Sequence, residues 1–321
     1  MTVCIKYLPN YLNLDIIRYL NMEIKMSIDK ISDEIKSFFR VCSKEKYVKY
    51  KNTNLLFAQE EQPNVLHATL YNPLICLIIQ GSKEIILEDV TIRIQQGEYL
   101  IVSHDLPVVS QIVEASYESP YQALILPIDF SILRILNAEM DKIPIKGTPN
   151  VVTVTTASIE LVDALYKYLS VQNNSIEAKI LGPMLLKEIH FRLLMASNGE
   201  MLRNLLHRDS HASMIARSIE IIREQFTKPL HMPNIAVEIG MSTSGFYKHF
   251  KNITSKSPLQ YQKDLRLLEA QRLLSTQKYS VGEAAFEIGY ESTTQFSREF
   301  SRKFGVSPKQ YQLTQCSGER P

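Results

Sequence analysis

The 321 residues predict an α+β chain in two parts: a small antiparallel β-barrel with helices, then an all-α region of two helix-turn-helix units joined by a linker helix. Three observations carry this expectation. Short apolar runs, spaced roughly 10 residues apart and broken by turn signals, occupy positions 66–127. Helical periodicity replaces them from about 129 to 207. The last third of the chain then repeats itself at an offset of 50, with FKNITSKSPLQY at 250–261 returning as FSRKFGVSPKQY at 300–311.

The elements follow in order. Residues 1–25 are expected to be a dispensable extension or a misassigned start, because Met22 and Met26 both offer starts and SIDKISDEIKSFF after Met26 reads as a polar, helix-forming segment. The runs LICLIIQ, KEIIL, VTIRI, YLIVS, VVSQIVEA and YQALILP, punctuated by Gly81-Ser82, Glu88-Asp89 and Gln96-Gly97, predict an antiparallel meander closing as a barrel or sandwich at 66–127. Helices are expected at 129–140, 156–171, 177–196 and 199–207, completing an N-terminal domain of 26–207.

Beyond it lies a domain at 213–312 and a tail at 313–321. Its two units, about 232–253 and 280–303, share one grammar. Ala236 and Gly240 precede Ser242, Phe246 and Phe250; Ala285 and Gly289 precede Ser292, Phe296 and Phe300. The small Ala lets two helices cross closely, Gly ends the first sharply, and Ser caps the second. Ser292 with Gln295 spells the S-x-x-Q capping box, whereas Gly245 stands at that position in the first unit and predicts a looser start. The paired Phe residues, four apart, line one buried face. Ser257-Pro258 and Ser307-Pro308 each open another helix, the first a linker over 258–275, about 27 Å long. Such units present their second helix to the DNA major groove, here about one duplex turn apart.

Charge agrees with that division. From residue 212 onward there are 15 Lys plus Arg against 10 Asp plus Glu, while residues 1–211 hold 21 against 24. The basic excess therefore sits on the repeated region, where phosphates would require it. Cys4, Cys42, Cys76 and Cys316 have no CxxC spacing, which favours a reduced compartment over a zinc or disulfide framework. No apolar run reaches the length of a membrane span and no basic-then-apolar leader opens the chain, so the cytoplasm is the expected location. Catalysis finds no residues: His67 and His104 stand on separate segments and read as turn or surface positions, and no G-x-S-x-G, phosphate-loop or dinucleotide fingerprint occurs. No metal, cofactor or enzymatic activity is expected. Cys76 reads as a small buried hydrophobe, with a redox or electrophile sensor as the alternative.

Residues 213–312, including the stretch LRLLEAQRLL at 265–274, resemble the DNA-binding domain of the AraC/XylS family of bacterial transcription regulators. The stretches PLICLIIQGSKEIIL and YLIVSHDLPVVSQIVEAS resemble the N-terminal domain of an AraC-type subgroup that includes regulators of aldehyde-reductase genes. The resemblance implies a cupin-like effector domain, dimerisation through the helices after it, a promoter site in double-stranded DNA, RNA polymerase as a partner, and activation. It places Ser242, Thr243, Ser244, Tyr247 and Lys248 of the first unit, and Ser292, Thr293, Thr294, Gln295 and Arg298 of the second, at the DNA. Thr and Gln can contact base edges and Arg298 can grip guanine through two hydrogen bonds. Lys251, Arg302 and Lys303 are candidate phosphate contacts; Lys256 and Lys309 read equally as solubilising charges. Gly245 and Ser244 depart from the family pattern, so the second unit is expected to carry more of the readout. Two rivals stay open: an effector-independent regulator controlled by abundance or by a partner protein, and a cupin-like enzyme or binding protein tethered to DNA.

Overall fold

The computed structural model describes residues 14–42, 46–51, 53–87, 90–140, 151–207 and 209–317. A 29-residue helix α1 (Leu14–Cys42) comes first. It runs unbroken through Met26, so the expected boundary there is no break in the backbone, and residues 1–13 of the expected extension lie outside the described residues. Ile28, Ile31, Ile35 and Phe39 recur at helical spacing and are all buried, which sets the face that α1 turns to the sheet behind it.

Ten strands follow: β1 (Tyr47–Lys49), β2 (Leu56–Glu60), β3 (His67–Tyr71), β4 (Leu74–Gln80), β5 (Ser82–Leu87), β6 (Val90–Gln95), β7 (Glu98–Val102), β8 (Leu106–Glu114), β9 (Tyr121–Pro127) and β10 (Val152–Thr156). All six strands expected from the apolar runs form, but their connectivity differs from a meander. One sheet has the order β1-β2-β9-β4-β7-β10 and the other β3-β8-β5-β6, antiparallel throughout, so among those six only β5 and β6 are both consecutive and paired. The reason lies in β4, whose Ile75, Leu77 and Ile79 bury on one face while Cys76 and Ile78 bury on the other. A strand apolar on both faces needs a covered sheet, and a single-layer meander would leave one face wet. Gly81, at φ 78°, turns the chain from one sheet to the other; a Cβ there would stand 2.3 Å from the Glu114 carbonyl oxygen.

Helices α2 (Phe130–Glu139), α3 (Ile159–Val171), α4 (Ser175–Met195) and α5 (Glu200–Leu206) match the expected periodic segments, opened by Asp129, Ser158 and Asn174 as side-chain caps for the first three. Strand β10 was not expected; its VTVTT alternation suits a pleated edge and pairs with β7. The helices and α1 cover the outer face of the six-stranded sheet. No helix among the described residues is long and apolar enough to cross a membrane.

The C-terminal region comprises α6 (His211–Gln225), α7 (Met232–Glu238), α8 (Thr243–Thr254), α9 (Pro258–Ser275), α10 (Val281–Glu287), α11 (Thr293–Phe304) and α12 (Pro308–Ser317). Helix α9 coincides with the expected linker, whereas α12 runs into the segment expected to be a tail. The buried residues of α6–α9 join those between the two sheets in one continuous apolar cluster, while α10 and α11 close a separate core with the far half of α9. Polar ties hold the first junction. Tyr261 Oη donates to the Asp105 carbonyl at 2.8 Å, Lys256 Nζ to the Pro107 carbonyl at 3.2 Å and Val151 N to the Ile253 carbonyl at 3.3 Å, beside an Arg223–Asp105 ion pair.

His104 belongs to that junction, which corrects its reading as a turn or surface residue. It is buried, its Nε2 donating to the Ala212 carbonyl at 3.2 Å and its Nδ1 accepting from Ser103 Oγ at 2.9 Å. Those partners suit a neutral ring, and burial lowers its pKa from 6.5 to about 4 against the pull of the Ala212 carbonyl. Between those values the unfolded chain binds the extra proton and the folded chain does not. Stability therefore falls as pH drops from 6.5 to about 4, by about 3 kcal/mol for this ring, and is unchanged by it below that range. Chemical unfolding of the wild type and His104→Gln across that range is expected to show a stability difference that shifts by this amount in favour of the variant as pH falls; a constant difference excludes the assignment.

Candidate nucleic-acid interface

Both repeats build the same corner. Gly240 and Gly289 take φ of 81° and 84°. That left-handed backbone lets Met241 N donate back to the Ala236 carbonyl at 2.8 Å and Tyr290 N to the Ala285 carbonyl at 3.0 Å, ending α7 and α10. Ala236 and Ala285 are fully buried at the crossings, as are Phe246, Phe250, Phe296 and Phe300, and each Phe pair meets edge to face at 5.5 Å. These contacts leave the opposite faces of α8 and α11 to solvent.

The caps differ from expectation. Ser242 Oγ accepts from Gly245 N at 3.2 Å and Ser292 Oγ from Gln295 N at 3.3 Å, so the first helix is capped as closely as the second. The box expected at Ser292 is only half made, because Gln295 Nε2 donates forward to Glu299 at 3.1 Å. A complete capping box stands instead at Ser280 and Glu283, opening α10.

Of the residues assigned to the first reading helix, Ser242, Thr243, Ser244 and Lys248 are exposed and Tyr247 is half-buried against Phe246. In the second, Ser292, Thr294, Gln295 and Arg298 are exposed and Thr293 is partly covered. The structure brings each set together at the start of its helix, where the macrodipole favours anions. Lys248, Lys251, Arg298 and Arg302 are exposed and hold no ion pair among the described residues. Lys303 is different. Its Nζ donates to Asp264 Oδ1 at 2.6 Å and its side chain is 12% exposed, so it is committed inside the protein and unavailable to phosphate. Lys256 is likewise buried against Asp264 and Pro107, while Lys309 is exposed.

The residues that fix the two units to one another were missed by the sequence reading. Asp264 on α9 sits between Lys256 of the first unit and Lys303 of the second. Burial acts to raise its pKa, but Lys303 and Lys256 more than offset this and hold the carboxyl below its usual range. Arg266 donates to the carbonyls of Phe226 at 2.6 Å, Thr227 at 3.3 Å and Lys228 at 3.0 Å on one side, and of Gly289 at 3.0 Å on the other. Gln262 Nε2 adds bonds to Phe226 and Lys228, both at 2.9 Å, and Lys263 pairs with Glu299 at 2.9 Å. The available signal was polar residues lying on the apolar stripe of α9, where Gln262 and Asp264 are buried.

Comparison with known proteins agrees with this geometry. Residues 52–201 match the model of the AraC-type transcriptional regulator N-terminus, and residues 235–314 that of a helix-turn-helix domain. The chain is similar to the HTH-type transcriptional regulator AlkR of Acinetobacter baylyi, 34% identical over 97 residues, which are 30% of this chain and 32% of AlkR. It is similar to the regulatory protein SoxS of Salmonella typhimurium, 32% identical over 102 residues, covering 32% of this chain and 95% of SoxS. This chain thus spans about a third of AlkR and nearly all of SoxS. Unsaturated fatty acid bound ToxT from Vibrio cholerae shares the fold, with a TM-score of 0.50 and 13% identity over 85% of this chain and 100% of that one.

The two turn glycines have different surroundings. A Cβ on Gly240 would meet nothing within 4 Å, but one on Gly289 would stand 1.8 Å from the Thr227 carbonyl oxygen of the other unit. Gly240→Ala is therefore expected to cost only the left-handed backbone penalty of about 1–2 kcal/mol. Gly289→Ala adds a clash with backbone and is expected to cost more than that by at least about 1 kcal/mol in urea unfolding. Equal costs would mean that the two units do not meet at Thr227.

Proposed function

Since the chain belongs to the AraC family of DNA-binding transcription regulators, we propose that α8 and α11 enter successive major-groove segments of one promoter site and that α11 carries most of the base readout. The exposed, unpaired Arg298 on α11 is the observation that carries this reading. Thr293, Thr294 and Gln295 flank it toward the helix start, with Ser292 as cap. Ser242, Thr243, Ser244, Tyr247 and Lys248 make the corresponding contacts from α8, and Lys251 and Arg302 face phosphates. Arg298→Ala is expected to lower affinity for a promoter fragment by about 1–3 kcal/mol and to relax base preference at one position. Genome-wide crosslinking of the tagged protein would supply the fragment, and unchanged affinity and preference in the variant would refute the assignment.

The finer role belongs to the same proposal. The protein acts in the cytoplasm as an activator, touching RNA polymerase at the promoter, with the sandwich sensing a small molecule. A domain that shares one apolar cluster with α6–α9 cannot change shape without moving the first reading helix. Dimerisation falls to α4, whose C-terminal half buries Ile189, Leu193 and Leu194 while its N-terminal half exposes Ile176, Ile180 and Met184 on one face. Replacing Ile180 and Met184 together by Asp is expected to halve the mass seen by light scattering without lowering the melting temperature. A dimer that survives the change removes α4 from the interface.

A further inference from the structure

Glu299 is the one acidic residue of α11, and donors from the linker helix, the preceding turn and α11 itself converge on it. Lys263 Nζ of α9 and Gln295 Nε2 of α11 donate to its Oε1 at 2.9 Å and 3.1 Å, and Tyr290 Oη, next to the turn glycine Gly289, donates to its Oε2 at 2.8 Å. The Glu299 side chain is 12% exposed. Burial acts to raise its pKa, but the hydrogen bonds from Lys263, Tyr290 and Gln295 outweigh this and hold the carboxyl below its usual range. Tyr290 is itself fixed: it is buried, its ring meets Phe296 edge to face at 5.5 Å, and the Arg266 guanidinium lies 5.9 Å from its centroid. An ionised carboxylate accepts and does not donate, so only the nitrogen of the Gln295 amide can face it. The first unit is built differently. Gly245 and His249 stand at the corresponding positions, the first without a side chain and the second stacked on His211 at 3.6 Å.

Resting on the reading of α11 as the main base-reading helix, we infer that Glu299 is a specificity-determining positioning residue, which holds the exposed Gln295 amide in the orientation that reads adenine. Glu299 takes one N–H of that amide. The carbonyl oxygen and the second N–H are left free, and they are the acceptor and donor that adenine N6 and N7 require in the major groove. Guanine offers only acceptors on that edge, N7 and O6, so the Gln295 carbonyl oxygen would face a guanine oxygen unless the amide turned over. Turning it would set that oxygen against the Glu299 carboxylate, acceptor against acceptor, with the amide hydrogen bond lost. Bonds to an ionised acceptor are roughly twice as strong as neutral ones, and a closed groove lowers the local dielectric around them. Lys263 has a separate part: its ion pair with Glu299 offsets the carboxylate's repulsion of phosphates.

The test is selection of the full chain on a randomised duplex library, followed by titration of the selected site with each base pair exchanged in turn. The wild type is expected to prefer adenine over guanine by at least about fivefold at one position, and Gln295→Ala to lose that preference there. Glu299→Gln keeps the side chain's shape and an acceptor for Tyr290. It is expected to bring adenine and guanine at the same position to within about twofold, with preferences at other positions kept. Added to Gln295→Ala, Glu299→Gln is expected to change no base preference further, because it acts through that amide. A Glu299→Gln variant that loses affinity evenly at all positions, or keeps the adenine preference, marks Glu299 as a structural tie and overturns the inference. Should Glu299→Gln fail to fold, the wild type still decides: guanine, or no base, preferred at the position that Gln295→Ala changes overturns the inference. Arg298→Ala separates the two levels. A preference lost in Arg298→Ala with none lost in Gln295→Ala removes the inference and leaves α11 as the reading helix, whereas no preference moved by either variant removes both.

Discussion

The buried carboxylate of Asp264 is the point through which the parts of this molecule are held in register. It is 4% exposed and clasped by two lysines, Lys256 from the end of the first helix-turn-helix unit and Lys303 from the second reading helix. Lys256 continues to the Pro107 carbonyl on the sandwich. One side chain of the linker helix thus orients three bodies at once. Ion pairs of this kind seldom add net stability, because desolvation opposes the Coulomb gain, and their attested use is to select one geometry among alternatives. Arg266 fits the same logic: a planar fork satisfying four carbonyls on two sides of α9 holds only when those carbonyls keep their places.

That register is asymmetric, and the asymmetry gives the regulator its mechanical character. The first unit shares its apolar interior with the sandwich; the second closes its own core with the far half of α9, the helix that packs on β3. A change between the sheets therefore acts on α8 directly and on α11 through the linker. Arg298, exposed on α11, stands on the unit whose core is separate. The two helix-turn-helix units are thus unequally tied to the sandwich, the first by shared apolar packing and the second by way of α9.

Much of this was legible in the sequence. The repeat at an offset of 50 located both units, and the Ser-Pro caps bounded α9 at its observed first residue, since turn and cap chemistry is local. Alternating apolar runs located six strands. Their partners were not legible, because period-two alternation says which face is buried and nothing of which strand lies beside it. The same limit hid His104, whose carbonyl partner is 108 residues away, and Lys303, whose carboxylate is 39 residues away. A lysine next to Arg302 on a basic helix looks solvated until the fold delivers its partner.

The two copies of the repeat show where sequence symmetry stops being structural symmetry. Gly240 and Gly289 have the same φ and the same hydrogen bond closing the corner, so local chemistry demands glycine at both. Yet only Gly289 abuts the Thr227 carbonyl, and only there does Arg266 bind the turn. The first glycine shapes a helix end, while the second also sets the distance between two DNA-reading bodies. Duplicated motifs in one chain hence carry unequal constraints once they face each other, and the copy that meets its neighbour is the one on which the spacing of the reading helices depends.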